Sequence, residues 1–155
     1  MKSLFILWLA FFIQPFPGKP GFIDPTGTYI LTGTIKNNRI TGHSGELRVR
    51  LLEDHTVAVC FYINKGYPGY ESGSFIDTLT YEENRIYYTP GKASSCTVLF
   101  SFADREVAIT QIYSDPHSGC GFGGGVLIPA TFRKTSGDIP IIQDLSLHGA
   151  AHTPT

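Results

Sequence analysis

From Gly27 onward the chain alternates. In "TVAVCFYI" (56–63), Val57, Val59, Phe61 and Ile63 fall on one side and Ala58, Cys60 and Tyr62 on the other. A period of two marks a strand with one buried face. Seven further runs are read as strands from alternation, or from β-branched and aromatic content between turn residues. They are "GTYILTGT" (27–34), "GELRVRLL" (45–52), "SFIDTLTY" (74–81), "RIYYT" (85–89), "CTVLFSF" (96–102), "EVAITQIY" (106–113) and "GVLIPATF" (125–132). Beyond the N-terminal apolar run no segment holds a 3.6-residue period, so the expected class is all-β. Leu47, Val49 and Leu51 are expected inward, with Glu46, Arg48 and Arg50 in water. Val126, Ile128, Ala130 and Phe132 are expected to form the last inward row.

The connections add the topology. "EDH", "EEN" and "ADR" are tight links between runs 2 and 3, 4 and 5, and 6 and 7. The links between runs 1 and 2, 3 and 4, and 7 and 8 are long, and "PGKASS" is intermediate. In an antiparallel meander alternate connections lie at opposite ends. One end then carries short hairpins and the other every long loop, as in a scaffold with one functional mouth. The expectation is an eight-stranded antiparallel up-and-down barrel of the lipocalin/calycin type over residues 22–135, which leaves no exposed edge. A β-sandwich of the same strands is the alternative. Residues 136–155 lack alternation and read as a mobile tail, in which "IPIIQDL" could lie against the barrel.

Leu4 to Ile13 is an unbroken apolar run behind Lys2, too short for a stable bilayer span. It reads as the core of a secretory signal peptide over residues 1–21. No stable membrane span is expected after its cleavage. The net charge of -1, with 16% charged residues, offers no basic excess for nucleic acid. Exported chains usually pair their cysteines, and this one has Cys60, Cys96 and Cys120. On the meander Cys96 and Cys120 share the long-loop end, one strand apart, so a disulfide between them is geometrically reasonable. Cys60 sits mid-strand and reads as a buried free thiol.

The segment "YSDPHSGCGFGGGV" (113–126) carries the densest chemistry. A phosphate cradle is disfavoured, because no Lys-Ser/Thr follows and the next element reads as a strand. Its glycines suit a tight, disulfide-tied turn. The histidines are scattered without metal-ligand spacing, although His43 and His117 could meet at the mouth. No nucleophile elbow or carboxylate pair supports catalysis. No cofactor or metal is expected. The loop "NKGYPGYESGS" (64–74) sets Tyr67 and Tyr70 around a Pro-Gly turn at the same end. Such tyrosines contact a partner or a sugar, or fold over the mouth as a lid on the core. Lys36, Arg39, Lys65 and Lys92 fall at that end and would favour an anionic partner.

The pieces "SSCTVLFSF" (94–102), "VAITQIY" (107–113), "CGFGGGV" (120–126) and "ATFRK" (130–134) resemble small exported bacterial β-barrel domains of unknown function. These occur alone or beside lysozyme-inhibitor-like segments. The resemblance implies an exported barrel with its two cysteines paired, and no established activity. Periplasmic lysozyme inhibitors are similar small barrels, but the flanking pattern of their Ser-Gly loop is not reproduced around "HSG" or "ESG". The expected function is non-catalytic binding at the long-loop end, with Tyr67, Tyr70, His117 and Phe122 as binding residues. The expected partner is a protein, a lysozyme included, or a small ligand. A lysozyme inhibitor, a lipocalin-like carrier and a hydrolase are the alternatives.

Overall fold

A computed structural model describes residues 21–53, 55–91, 95–113 and 120–146. Residues 1–20 of the expected signal peptide (1–21), His117, Lys92 and the end of the tail lie outside the described residues. Among the described residues ten strands form: β1 (Gly27–Leu31), β2 (Thr34–Lys36), β3 (Arg39–Thr41), β4 (Ser44–Leu51), β5 (Thr56–Asn64), β6 (Ser72–Glu82), β7 (Arg85–Tyr88), β8 (Cys96–Ala103), β9 (Glu106–Tyr113) and β10 (Ala130–Ser136). Eight of them close an antiparallel barrel in the order β1-β10-β9-β8-β7-β6-β5-β4, with β1 also paired to β4. The barrel is all-β and consistent with the lipocalin-like up-and-down expectation. β2 and β3 form a separate two-stranded sheet within the β1–β4 connection.

The alternation read from the sequence is observed in the barrel strands except for the expected last inward row, of which Phe132 alone is a buried strand residue while Ile128 and Ala130 are part-exposed. Leu47, Val49, Val57, Val59, Phe61, Ile63, Val98, Phe100, Val107, Ile109 and Phe132 are buried inward. Phe61 is the hub. Its ring meets Phe100 at 5.6 Å, Phe132 at 5.8 Å and Phe75 at 5.5 Å between centroids. These spacings suit edge-on and tilted aromatic packing. The interior is thereby filled with side chains.

Several strand ends differ from the sequence reading, and two of them have a local reason. The last strand begins at Ala130 rather than Gly125, directly after Pro129, which has no N–H to give a ladder. Val126 and Leu127 are still buried, as part of the cap over the mouth rather than as a strand row. Run 1 ends at Leu31, and the chain then turns outward into the β2–β3 hairpin. Asn37 and Asn38 take φ of 50° and 56° there, the left-handed pair that tight hairpins need.

The short-turn end is sealed by residues 21–26. Asn84 is buried in the β6–β7 turn. Its amide donates to the Gly21 carbonyl (2.8 Å), and its side-chain oxygen accepts from the Ile23 N–H (2.9 Å). The Tyr81 hydroxyl donates to the Ile23 carbonyl at 2.6 Å, and the Tyr29 hydroxyl to the Pro25 carbonyl at 2.9 Å. Desolvation, followed by the nearby Asp24 charge, pushes the Tyr81 phenol up to about 12. Tyr29 is also raised, first by desolvation and then by Tyr81 and Asp24.

Glu46 and Arg48 face outward as expected, yet their side chains are mostly covered, at 14% and 23% exposure. The chain beyond β10 runs past them. Arg48 donates to the Ile141 carbonyl at 3.2 Å and pairs with Glu46 at 2.6 Å. Cys60, on the same outer face, is fully buried, and Leu145 is 3% exposed. Burial pushes the Cys60 thiol up, against lowering by a backbone hydrogen bond from Gln143 and by the Arg48 charge. Residues 137–146 thus act as a strap over β4 and β5.

One seam is thin. β6 meets β7 only at Tyr81–Ile86 and Glu82–Arg85, although it pairs with β5 along its length. Above that point the Phe75 and Tyr88 rings close the gap by stacking at 3.7 Å and 5°. Asp77 lies at this edge and accepts from the Thr78 N–H at 2.8 Å.

Candidate functional site

All the long connections gather at one end, as the loop lengths predicted. The β5–β6 loop doubles back on itself. Asn64 accepts from the Gly66 N–H (2.6 Å) and donates to the Tyr70 carbonyl (2.9 Å), while the Tyr70 N–H donates to the Gly66 carbonyl (2.9 Å). Lys65 pairs with Glu71 across its base at 3.1 Å. This folding pushes Tyr67 and Tyr70 out to 44% and 48% exposure, 6.2 Å apart and edge to face. The lid alternative therefore gives way to exposed rings on the rim.

The β2–β3 hairpin is held against this loop through backbone. The Tyr67 N–H donates to the Ile40 carbonyl at 2.8 Å, and Thr41 bridges to Tyr67. Gly66, at φ 76°, permits the approach, since a Cβ there would run into the Gly42 carbonyl oxygen. The contact brings Arg39 over the Tyr67 ring, 4.5 Å from its centroid. Cation and ring attract at that distance. An open cleft of about 470 Å³ results, lined by Lys36, Asn37, Arg39, Thr41 and Tyr67. Its charged side chains are both cationic.

Phe122 is not on this rim. Its ring points down onto Phe61, with centroids 6.1 Å apart, and occupies the space left by Gly73. It plugs the mouth beside the Cys96–Cys120 disulfide, whose Cα atoms are 5.1 Å apart. Gln111 donates to the Cys120 sulfur at 3.7 Å. Nε2 of His43 donates to the Gly125 carbonyl at 2.8 Å, tying the β3–β4 turn to the glycine loop. Among the described residues no group of three or more His, Cys, Asp or Glu side chains is placed to hold a metal ion.

The sequence reading places Tyr67, Tyr70, Lys36 and Arg39 at one end but does not join Arg39 to Tyr67. The available signal is "IKNNRI", an Asn-Asn turn between alternating flanks, which marks a hairpin projecting from the first long loop. A second hollow lies at the sealed end, bounded by Phe22, His55, Tyr81, Asn84, Arg85 and Tyr87 among others. Its polar centre, Asn84, is already committed to the N-terminal segment. The chain has no significant match among protein-family models, curated proteins or solved structures. Among the described residues no helix is long and apolar enough to cross a membrane.

Proposed function

We propose that this is an exported, non-catalytic binding protein that engages its partner through the loop end of the barrel. The observation that carries the reading is the cleft between the β2–β3 hairpin and the β5–β6 loop. There, exposed tyrosines and two cations are held in place by backbone hydrogen bonds. Rigid aromatic side chains on a braced rim give contact area at low entropic cost. The Cys96–Cys120 disulfide fits an oxidising compartment, and the apolar run from Leu4 supports export. Phe61, Phe100 and Phe132 fill the space that a lipocalin-like carrier would need for its ligand.

The test is a pull-down with the mature protein, comparing wild type with a Tyr67→Ala/Tyr70→Ala variant. Loss of a partner in the variant supports the reading, and equal recovery refutes it. A lysozyme inhibitor would use the same protruding loop. It is distinguished by a lysozyme assay, in which added protein must slow the enzyme.

A further inference from the structure

The chemistry of the cleft narrows its ligand. Both charged side chains that line it, Lys36 and Arg39, are cations, and Glu71 at the β5–β6 loop base is paired with Lys65. The other lining groups are an amide (Asn37), a hydroxyl (Thr41) and one aromatic ring (Tyr67). A purely apolar ligand would need enclosing apolar walls, and this cleft is open and sets two cations, an amide and a hydroxyl among its lining groups. A peptide adding as a strand would need free backbone groups. Here the Ile40 carbonyl already accepts from Tyr67 N–H, and the Thr34 carbonyl from the Thr41 hydroxyl. The chemistry that remains is a ligand with a flat carbon face for the ring, hydroxyls for the amide and hydroxyl groups, and negative charge for the cations. The volume of about 470 Å³ lies within the usual range for small-ligand sites.

We propose that the Lys36–Arg39–Tyr67 cleft binds an acidic saccharide. Its sugar ring lies against Tyr67, and its carboxylate is held by Arg39 and Lys36. Arg39 suits this role because a planar guanidinium can stack on a ring and still present in-plane donors to a carboxylate. The inference rests on the loop-end binding reading and gives that site its ligand class.

The test is calorimetric titration of the mature protein with a short oligogalacturonate, a neutral oligosaccharide of equal length and a polyglutamate peptide. The uronate should bind, more weakly at high salt, and the neutral sugar and the peptide should bind at least about tenfold less tightly, a difference of roughly 1.4 kcal/mol. Arg39→Ala and Tyr67→Ala should each weaken uronate binding at least about tenfold, the size expected when a central contact is removed. Gly66→Ala should weaken it by displacing the hairpin without altering any lining side chain. Tyr87→Ala, an exposed aromatic outside the cleft, should leave it unchanged. Equal binding of the neutral sugar overturns the requirement for acid, and equal binding of polyglutamate overturns the requirement for sugar. If no probe binds while the pull-down still finds a Tyr67-dependent partner, the ligand class is wrong and the loop-end reading stands. If both experiments fail, both are wrong.

Discussion

The two ends of the barrel solve opposite problems. At the short-turn end, polar groups are turned inward and used up: Asn84, Tyr81 and Tyr29 all hydrogen-bond to the backbone of residues 21–25. At the loop end, backbone hydrogen bonds hold the loops together while Tyr67, Tyr70, Lys36 and Arg39 are left facing water. One end converts side chains into stability, and the other converts backbone into display. Mutations should therefore divide along the barrel axis. Those at the sealed end should cost stability, and those on the rim should cost binding alone.

The disulfide is the largest challenge to that division, because it is a strong stabiliser on the rim side. It closes a loop with a sequence separation of 24, and the chain-entropy account assigns such a loop roughly 3–4 kcal/mol. A Cys96→Ser/Cys120→Ser variant should lose about that much in urea denaturation. Asn84→Ala should come next, at roughly 2–3 kcal/mol, since it leaves the Gly21 and Ile23 backbone groups without partners and puts Ala at a left-handed φ. A loss below about 0.5 kcal/mol, the range of ordinary surface changes, would show that the N-terminal seal is decorative.

The raised phenols give the sealed end a pH signature. A group whose folded pKa exceeds its unfolded value binds more protons when folded. Its contribution is whole below the unfolded value, here 10.0, and is lost as pH climbs towards about 12. Unfolding free energy should therefore fall across that alkaline window. Tyr81→Phe should flatten the fall, at a cost of about 1 kcal/mol at neutral pH for the lost hydrogen bond. A slope unchanged by the substitution would show that Tyr81 is not among the groups responsible. The smallest expected effect is on the rim: Tyr70→Ala should change stability by less than about 0.5 kcal/mol.

The strap offers a check on a third region. With the thiol buried and raised, Cys60 should resist a thiol reagent at pH 7 in the native protein. Leu145→Ala should speed its labelling without unfolding the barrel. Equal labelling rates would mean that the strap does not guard the thiol.

Much of this fold is legible because a barrel writes itself in a period of two. Strand runs such as 56–63 and 96–102 and their inward rows emerge directly from alternation, and the unequal loops tell which end is the mouth. The strap is hinted at by "IPIIQDL", read as able to lie against the barrel, and by Cys60, read as a buried thiol on the outward side of its strand. Nothing in "IPIIQDL" fixes which strands it crosses, because an extended segment without a ladder carries no register. Arg39 on Tyr67 is hidden for a different reason. The two are distant in sequence, and their meeting depends on a hairpin whose strands are too short to stand out by periodicity. Phe122 reads as a rim residue because of its glycine-rich surroundings. It turns inward because Gly73, across the mouth, leaves a ring-sized space.

β1 has a further consequence, for the order of events during folding. It pairs with β4 on one side and with β10 on the other, so the first strand made waits for the last. Until β10 arrives the barrel is an open curl with two raw edges, β1 and β9, and pairings between chain ends are slow to form. A nascent chain cannot close before β10 is made. It passes through a stage in which sticky strand edges face its surroundings, and the final stretch around Phe132 both fills the core and ends that exposure.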